Sequence, residues 1–238
     1  MPTAGTRKTG ITLAVIGLAG MLFVYWLSFF WVSTEASQGV AQRIFYVHVP
    51  SAYLSMMTYM IMAVSAGIGL IWRIKLSHAV AAAAAPIGAW FTFLALITGS
   101  IWGRPMWGTW WEWGDPRLTS QLIMLFIYFG YMALRSAIDD PVKADKSSAV
   151  LAMVGAVNIP IIHFSVEWWS SLHQGATIIR EGGPAMPPDM LYPLLSNIFG
   201  FTLLFGALLL GRVRTEVLFR ERRKRWVRNT VLPQGDPG

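Results

Sequence analysis

Long uncharged apolar stretches alternate along the chain with short polar segments, and the alternation predicts membrane-spanning helices. Six stretches run from Ile11 to Val32, Val49 to Trp72, Ala79 to Trp102, Leu118 to Leu134, Ser147 to Val166 and Met190 to Gly211. About 20 apolar residues cross a hydrocarbon core of about 30 Å, and each stretch meets or approaches that length. The first ends in Phe-Phe-Trp and is too long for the apolar part of a secretory signal, which predicts a retained anchor. The expected fold is an all-α integral membrane protein with six transmembrane helices, forming one domain over 1–238. External loops are expected over about 33–48, 103–117 and 167–189, and tight polar turns over about 73–78 and 135–146. Asp139-Asp140-Pro141 reads as a helix stop.

Charge then orients the helices. One set of connecting segments carries Arg7, Lys8, Arg73, Lys75, Arg135, Lys143, Lys146 and eight more cations from Arg212 to Arg228. The other set carries only Arg43, Arg104, Arg117 and Arg180. Fifteen against four predicts both termini in the cytoplasm. The basic segment 212–238 becomes a cytoplasmic tail resting on anionic lipid head groups, with a disordered end at "PQGDPG". Gly67, Gly69 and Ala81–Ala85 are small enough to let helix backbones approach closely.

Composition narrows the class. Charged residues make up 13% of the 238, where a soluble domain carries about 25%. No cysteine is present, which excludes disulfides, thiolate metal sites and a C-x-x-C-H haem attachment motif. Neither a phosphate-binding G-x-x-x-x-G-K-[ST] loop nor H-E-x-x-H occurs, and no nucleic-acid partner is expected.

The candidate chemistry lies in the expected external loops. Five of twelve tryptophans fall between Trp102 and Trp113, in "WGRPMWGTWWEW". An interfacial belt accounts for Trp26, Trp31, Trp72 and Trp102. It does not account for Trp107, Trp110, Trp111 and Trp113, interleaved with Gly108, Glu112 and Gly114. Such density makes an exposed apolar surface, and those mark binding sites. His48, in "RIFYVHVPS", sits where the first external loop enters the second span, with Pro50 in the first helical turn. His173 follows Trp168-Trp169 in the third external loop. Aromatic faces, nearby arginines and two histidines suit a flat, apolar, anionic ligand with a central metal, and haem has all three properties. His78 reads as a solvated histidine in a cytoplasmic turn. His163 reads as a structural histidine bonded to Asn158 or to a neighbouring helix.

"RIFYVHVP", "GSIWGRPMWGTWW", "WGTWWEWGDPRLTS" and "NIPIIHFSVEWWSSLHQG" resemble the CcmC-type haem-handling membrane proteins of bacterial cytochrome c maturation. These belong to a wider family of cytochrome c assembly proteins that share the tryptophan motif, and the likeness extends over nearly all six spans. The resemblance implies that His48 and His173 are axial ligands of the haem iron. Trp107, Gly108, Trp110, Trp111, Trp113 and Asp115 would form the platform, and Arg43 and Arg117 would hold the propionates or orient the platform. It implies a non-covalent, transient haem b on the periplasmic side of the bacterial inner membrane. The haem would pass to the haem chaperone CcmE, with the small membrane protein CcmD and the ABC transporter subunits CcmA and CcmB as further partners. The covalent chemistry would belong to the chaperone, so this chain is expected to be a carrier with no catalytic residue. Two alternatives stand beside it: a permease moving haem across the bilayer, and a subunit that only docks the chaperone. The chain departs from the family pattern Trp-Asp-x-Arg-Leu-Thr where Gly114 separates Trp113 from Asp115, which leaves the roles of those two residues open.

Overall fold

The computed structural model describes residues 15, 18–175 and 177–231. Arg7, Lys8, the start of the first apolar stretch and the "PQGDPG" end lie outside the described residues.

The chain is an all-α multi-pass membrane protein. Its helices are α1 (Leu18–Trp31), α2 (Phe45–Trp72), α3 (Lys75–Trp107), α4 (Pro116–Ala137), α5 (Pro141–Gly155), α6 (Asn158–Trp168), α7 (Pro188–Arg220) and the short α8 (Arg225–Val231). Among the described residues five segments have the length and apolarity to cross a membrane, with α5 and α6 together forming one of them. The described part of the first expected span, α1, is shorter and closes in a π-helical turn at Leu27–Trp31.

Several boundaries differ from those read off the apolar runs, because helices continue past the greasy window into polar sequence. A 3-10 turn at Val40–Ile44 runs directly into α2, so Arg43 and His48 stand on helical backbone. Pro50 lies inside α2, beyond its first turn. α3 extends to Trp107, which shortens the tryptophan loop to 108–115, and α7 carries the expected tail as far as Arg220. Asp140 caps α5 by accepting from the amides of Val142 and Lys143, so Asp140-Pro141 starts a helix as well as following one. The fifth span breaks at 156–157, where Ile159 donates to Ala156 and Val157 to Val154 in tighter i→i−3 bonds. Pro160 explains the break: it lacks an N–H and its ring crowds the Ala156 carbonyl.

The core joins α2, α3, α4 and α5 through small residues and buried tyrosines. Ala81, Ala84, Ala85, Ala149 and Ala152 are buried beside Tyr59, Tyr128 and Tyr131. Each hydroxyl at this depth needs an acceptor. Tyr59 donates to Ala152 O at 3.1 Å and Tyr128 to Ser55 O at 2.9 Å. Glycines make room for both rings: a Cβ on Gly88 would stand 2.1 Å from Tyr128 Oη, and one on Gly155 would stand 2.1 Å from Tyr59 Oη. His78 is buried at 9% exposure, not solvated. The first turn of α3 lays its ring on Gly69 of α2, where a Cβ would come within 2.7 Å.

At the arginine-rich end, Arg135, Asp145, Glu216 and Arg220 form a charge-balanced network joining α4, α5 and α7. The opposite end gathers the start of α2, the end of α3, the start of α4, the end of α6 and the start of α7. That end carries the candidate site.

Candidate functional site

His48 projects from the first turn of α2 towards the last turns of α3. Its Nδ1 lies 3.1 Å from Thr98 Oγ1, and its ring meets Trp102 edge-on at 5.7 Å. Gly99 lies beneath the ring, where a Cβ would stand 3.0 Å from Cε1.

His173 sits in the segment following α6, edge-on to Trp107 at 5.0 Å. Its Nδ1 is 3.4 Å from Ser171 Oγ and 3.5 Å from Asp115 Oδ1. Both imidazoles therefore lie against the last turns of α3, His48 on Trp102 and His173 on Trp107.

Asp115 ties this arrangement together. Pro116 holds it in the extended conformation, with φ −76° and ψ 117°, and Pro116 occupies the first position of α4. Oδ1 accepts from the amides of Arg117 and Leu118, both at 3.0 Å, which satisfies two free donors of the helix start. Oδ2 accepts from Ser171 Oγ and from the amide of Leu172, both at 2.7 Å. One carboxylate therefore caps α4 and clamps the His173 loop. Burial, at 2% exposure, pushes its protonation upward, but the bonds from His173, Leu118, Ser171 and Leu172 outweigh this and hold it well below the usual carboxylate range.

Arg117 faces α6. Its guanidinium donates to Ile162 O at 3.2 Å, His163 O at 3.0 Å and Ser165 Oγ at 3.1 Å. These bonds hold the start of α4 against the middle of α6. Arg43 is different: its Nε is buried with no partner among the described residues. The indole N–H groups of Trp102 and Trp111 are in the same condition.

The structure divides the tryptophans among different surroundings. Trp107 ends α3 against His173, packed on Gly103. Gly108 is the left-handed C-cap of α3, with φ +78° and its amide 3.1 Å from Arg104 O. Trp111 packs on the core and meets Trp113 edge-on at 5.5 Å; both line an open apolar groove with Phe93, Leu96, Ile97 and Leu122. Trp110 and Trp113 are 58% and 72% exposed. The additional Gly114 is absorbed in a turn in which Asp115 N donates to Glu112 O, at 3.2 Å, and Thr119 Oγ1 to Trp113 O, at 3.0 Å.

The sequence reading left Trp102 to the interfacial belt and passed over Thr98, yet these two flank His48. Their i, i+4 spacing on an outer helix end was the available signal. Of the two partners expected for His163, Asn158 or a neighbouring helix, Asn158 is engaged elsewhere. The His163 ring lies on the exposed face, edge-on to Phe164 at 4.7 Å, and Asn158 donates to Ser120 O at 2.8 Å.

Fold and site together define a multi-pass helical membrane protein with a two-histidine, tryptophan-flanked site at one end of its bundle. Comparison with known proteins narrows this class. The family described as "CcmC: Heme exporter protein C" matches residues 3–228, and the chain belongs to it. Proteins called heme exporter protein C are similar to it over most of its length. The one from Escherichia coli K12 is 49% identical over 216 residues, covering 90% of this chain and 86% of the relative. That of Bradyrhizobium diazoefficiens is 53% identical over 186 residues (78% and 70%), and that of Haemophilus influenzae 46% over 218 residues (92% and 86%).

Proposed function

We propose that the protein holds haem at the outer face of the bacterial cytoplasmic membrane and hands it to the chaperone CcmE during cytochrome c maturation. The observation that carries this is the placing of His48 and His173 at one bundle end, against Trp102 and Trp107 of α3, with each ring held on its Nδ1 side by a neighbouring polar group. That arrangement leaves Nε2 of each available to iron, and ligating histidines are held in this way by partners behind them. The excess of lysine and arginine at the other end supports an outer position for the site.

Haem is the cargo, and the surrounding residues fit it. The unpartnered Arg43 Nε is suited to a propionate. Trp107, and the exposed faces of Trp110 and Trp113, offer aromatic surface to the macrocycle and to the chaperone. Arg117, committed to α6, orients the site rather than touching cargo. Two imidazole ligands saturate iron and suppress oxygen chemistry, as a carrier of haem b requires. CcmD and the ABC subunits CcmA and CcmB are the partners proposed beside CcmE. A haem permease has less support, because the polar pair it would use within the span, His163 and Asn158, is not together.

The test is the Soret band of the detergent-purified protein co-expressed with CcmE. His48→Ala and His173→Ala are each expected to abolish or strongly shift it. An unchanged band in both variants refutes the ligand assignment.

A further inference from the structure

We propose that Thr98 is a positioning residue that fixes the His48 imidazole as its Nδ1–H tautomer and thereby presents Nε2 to iron. This rests on the reading of His48 as a haem ligand.

The assignment follows from counting protons. Thr98 Oγ1 has one proton and two lone pairs. It lies 2.6 Å from Leu94 O and 3.3 Å from Ala95 O, two groups that can only accept. The shorter contact takes the hydroxyl proton, as is common for threonine one helical turn from a carbonyl. Toward His48 Nδ1, at 3.1 Å, Oγ1 can then only accept, so Nδ1 must carry the hydrogen. The opposite tautomer would set a nitrogen lone pair against oxygen lone pairs.

The ring's position is fixed by the same stretch of α3. Gly99 supplies the floor, since a Cβ would press on Cε1 at 3.0 Å, and Trp102 stands edge-on at 5.7 Å. A ligand held by one rigid helix needs little reorganisation when cargo arrives. His173 is held in the same sense by a different device: its Nδ1 faces the Asp115 carboxylate, which can only accept.

Thr98→Val removes the hydroxyl at nearly constant shape, and Thr98→Ser restores it. The tautomer is read by 15N solid-state NMR of the histidine-labelled full chain in bilayers without haem, with the His48 signal assigned through His48→Gln. Wild type and Thr98→Ser are expected to carry the proton at Nδ1, and Thr98→Val to show a mixture. Haemin titrated into the detergent-purified chain is expected to bind Thr98→Val about 10–100-fold more weakly, the usual cost of losing a partner behind a ligating histidine, with recovery in Thr98→Ser. A proton at Nε2 in wild type overturns the proposal. So does a Thr98→Val variant with wild-type tautomer and wild-type haemin affinity. Failure of the ligand reading looks different: His48→Ala would bind haemin with an unchanged Soret band while the NMR result stood.

Discussion

Asp115→Asn separates the two jobs of the clamp. In the wild type, Oδ1 caps α4 through the amides of Arg117 and Leu118, while Oδ2 holds Ser171 and Leu172 at 2.7 Å. Asparagine has one acceptor oxygen, so one pair of donors must face an NH2 group. The cap donors are fixed in the helix, and the loop is the partner that can leave. A hydrogen bond to a charged group contributes about 1.5–3 kcal/mol, and the 2% exposure of Asp115 leaves little water to compensate. Losing two such bonds, even at the lower bound, costs about 3 kcal/mol, or roughly a hundredfold in loop opening. The assay is amide hydrogen exchange by mass spectrometry on the haem-free protein. Peptides over 169–175 should exchange roughly a hundredfold faster in the variant, while those of α4 stay protected. Equal exchange of the Leu172 amide in both proteins refutes the clamp. The pH dependence has a definite sign. The folded carboxyl titrates below the ordinary value of about 3.9, so the clamp is fully present above that value. It is lost as the pH falls through the depressed folded value. Acid should release the loop in wild type and make no further difference to Asp115→Asn.

Gly88→Ala places a methyl group 2.1 Å from Tyr128 Oη and must push that ring off Ser55 O. A loss of about 1–3 kcal/mol, seen as a lower Tm in detergent, is expected, and an unchanged Tm refutes the packing argument. Arg117→Lys keeps the charge but cannot reach Ile162 O, His163 O and Ser165 Oγ together. It should accelerate exchange in α6 and weaken haemin binding without altering the Soret position; a shifted band would mean that Arg117 touches the cargo.

Sequence marked the apolar helices and drew attention to the candidate residues because both readings depend on local signals. Apolar runs set the helices, and Trp107, His48 and His173 stood out by type and neighbours. Helix ends were less legible, since α3 carries Arg104 and α7 carries Arg212 to Arg220 beyond any apolar window. The break at 156–157 was legible in Pro160 but was masked by an unbroken apolar run. His78 was misread because a polar turn was expected where α3 had already begun, and only the pairing with Gly69 reveals its burial. Long-range partners carried no local mark: nothing near Asp115 announces Leu172, nor anything near Arg117 the carbonyl of Ile162.

The tryptophan motif therefore does several things. Trp111 turns to the core, Trp107 braces His173, and Trp110 and Trp113 face outward. Its acid and its arginine, Asp115 and Arg117, bind α4 to α6 and the loop beyond it. Strength in the scaffold and openness at the cargo surface are thus assigned to different residues. On the proposed function a carrier needs that separation, because a rigid pair of ligands would capture haem while an exposed aromatic edge would leave room for the next protein to take it. If one set of side chains did both, tightening capture would slow release by the same factor. On that proposal Thr98 and Asp115 would set ligand geometry, and the exposed Trp110 and Trp113 would serve hand-over.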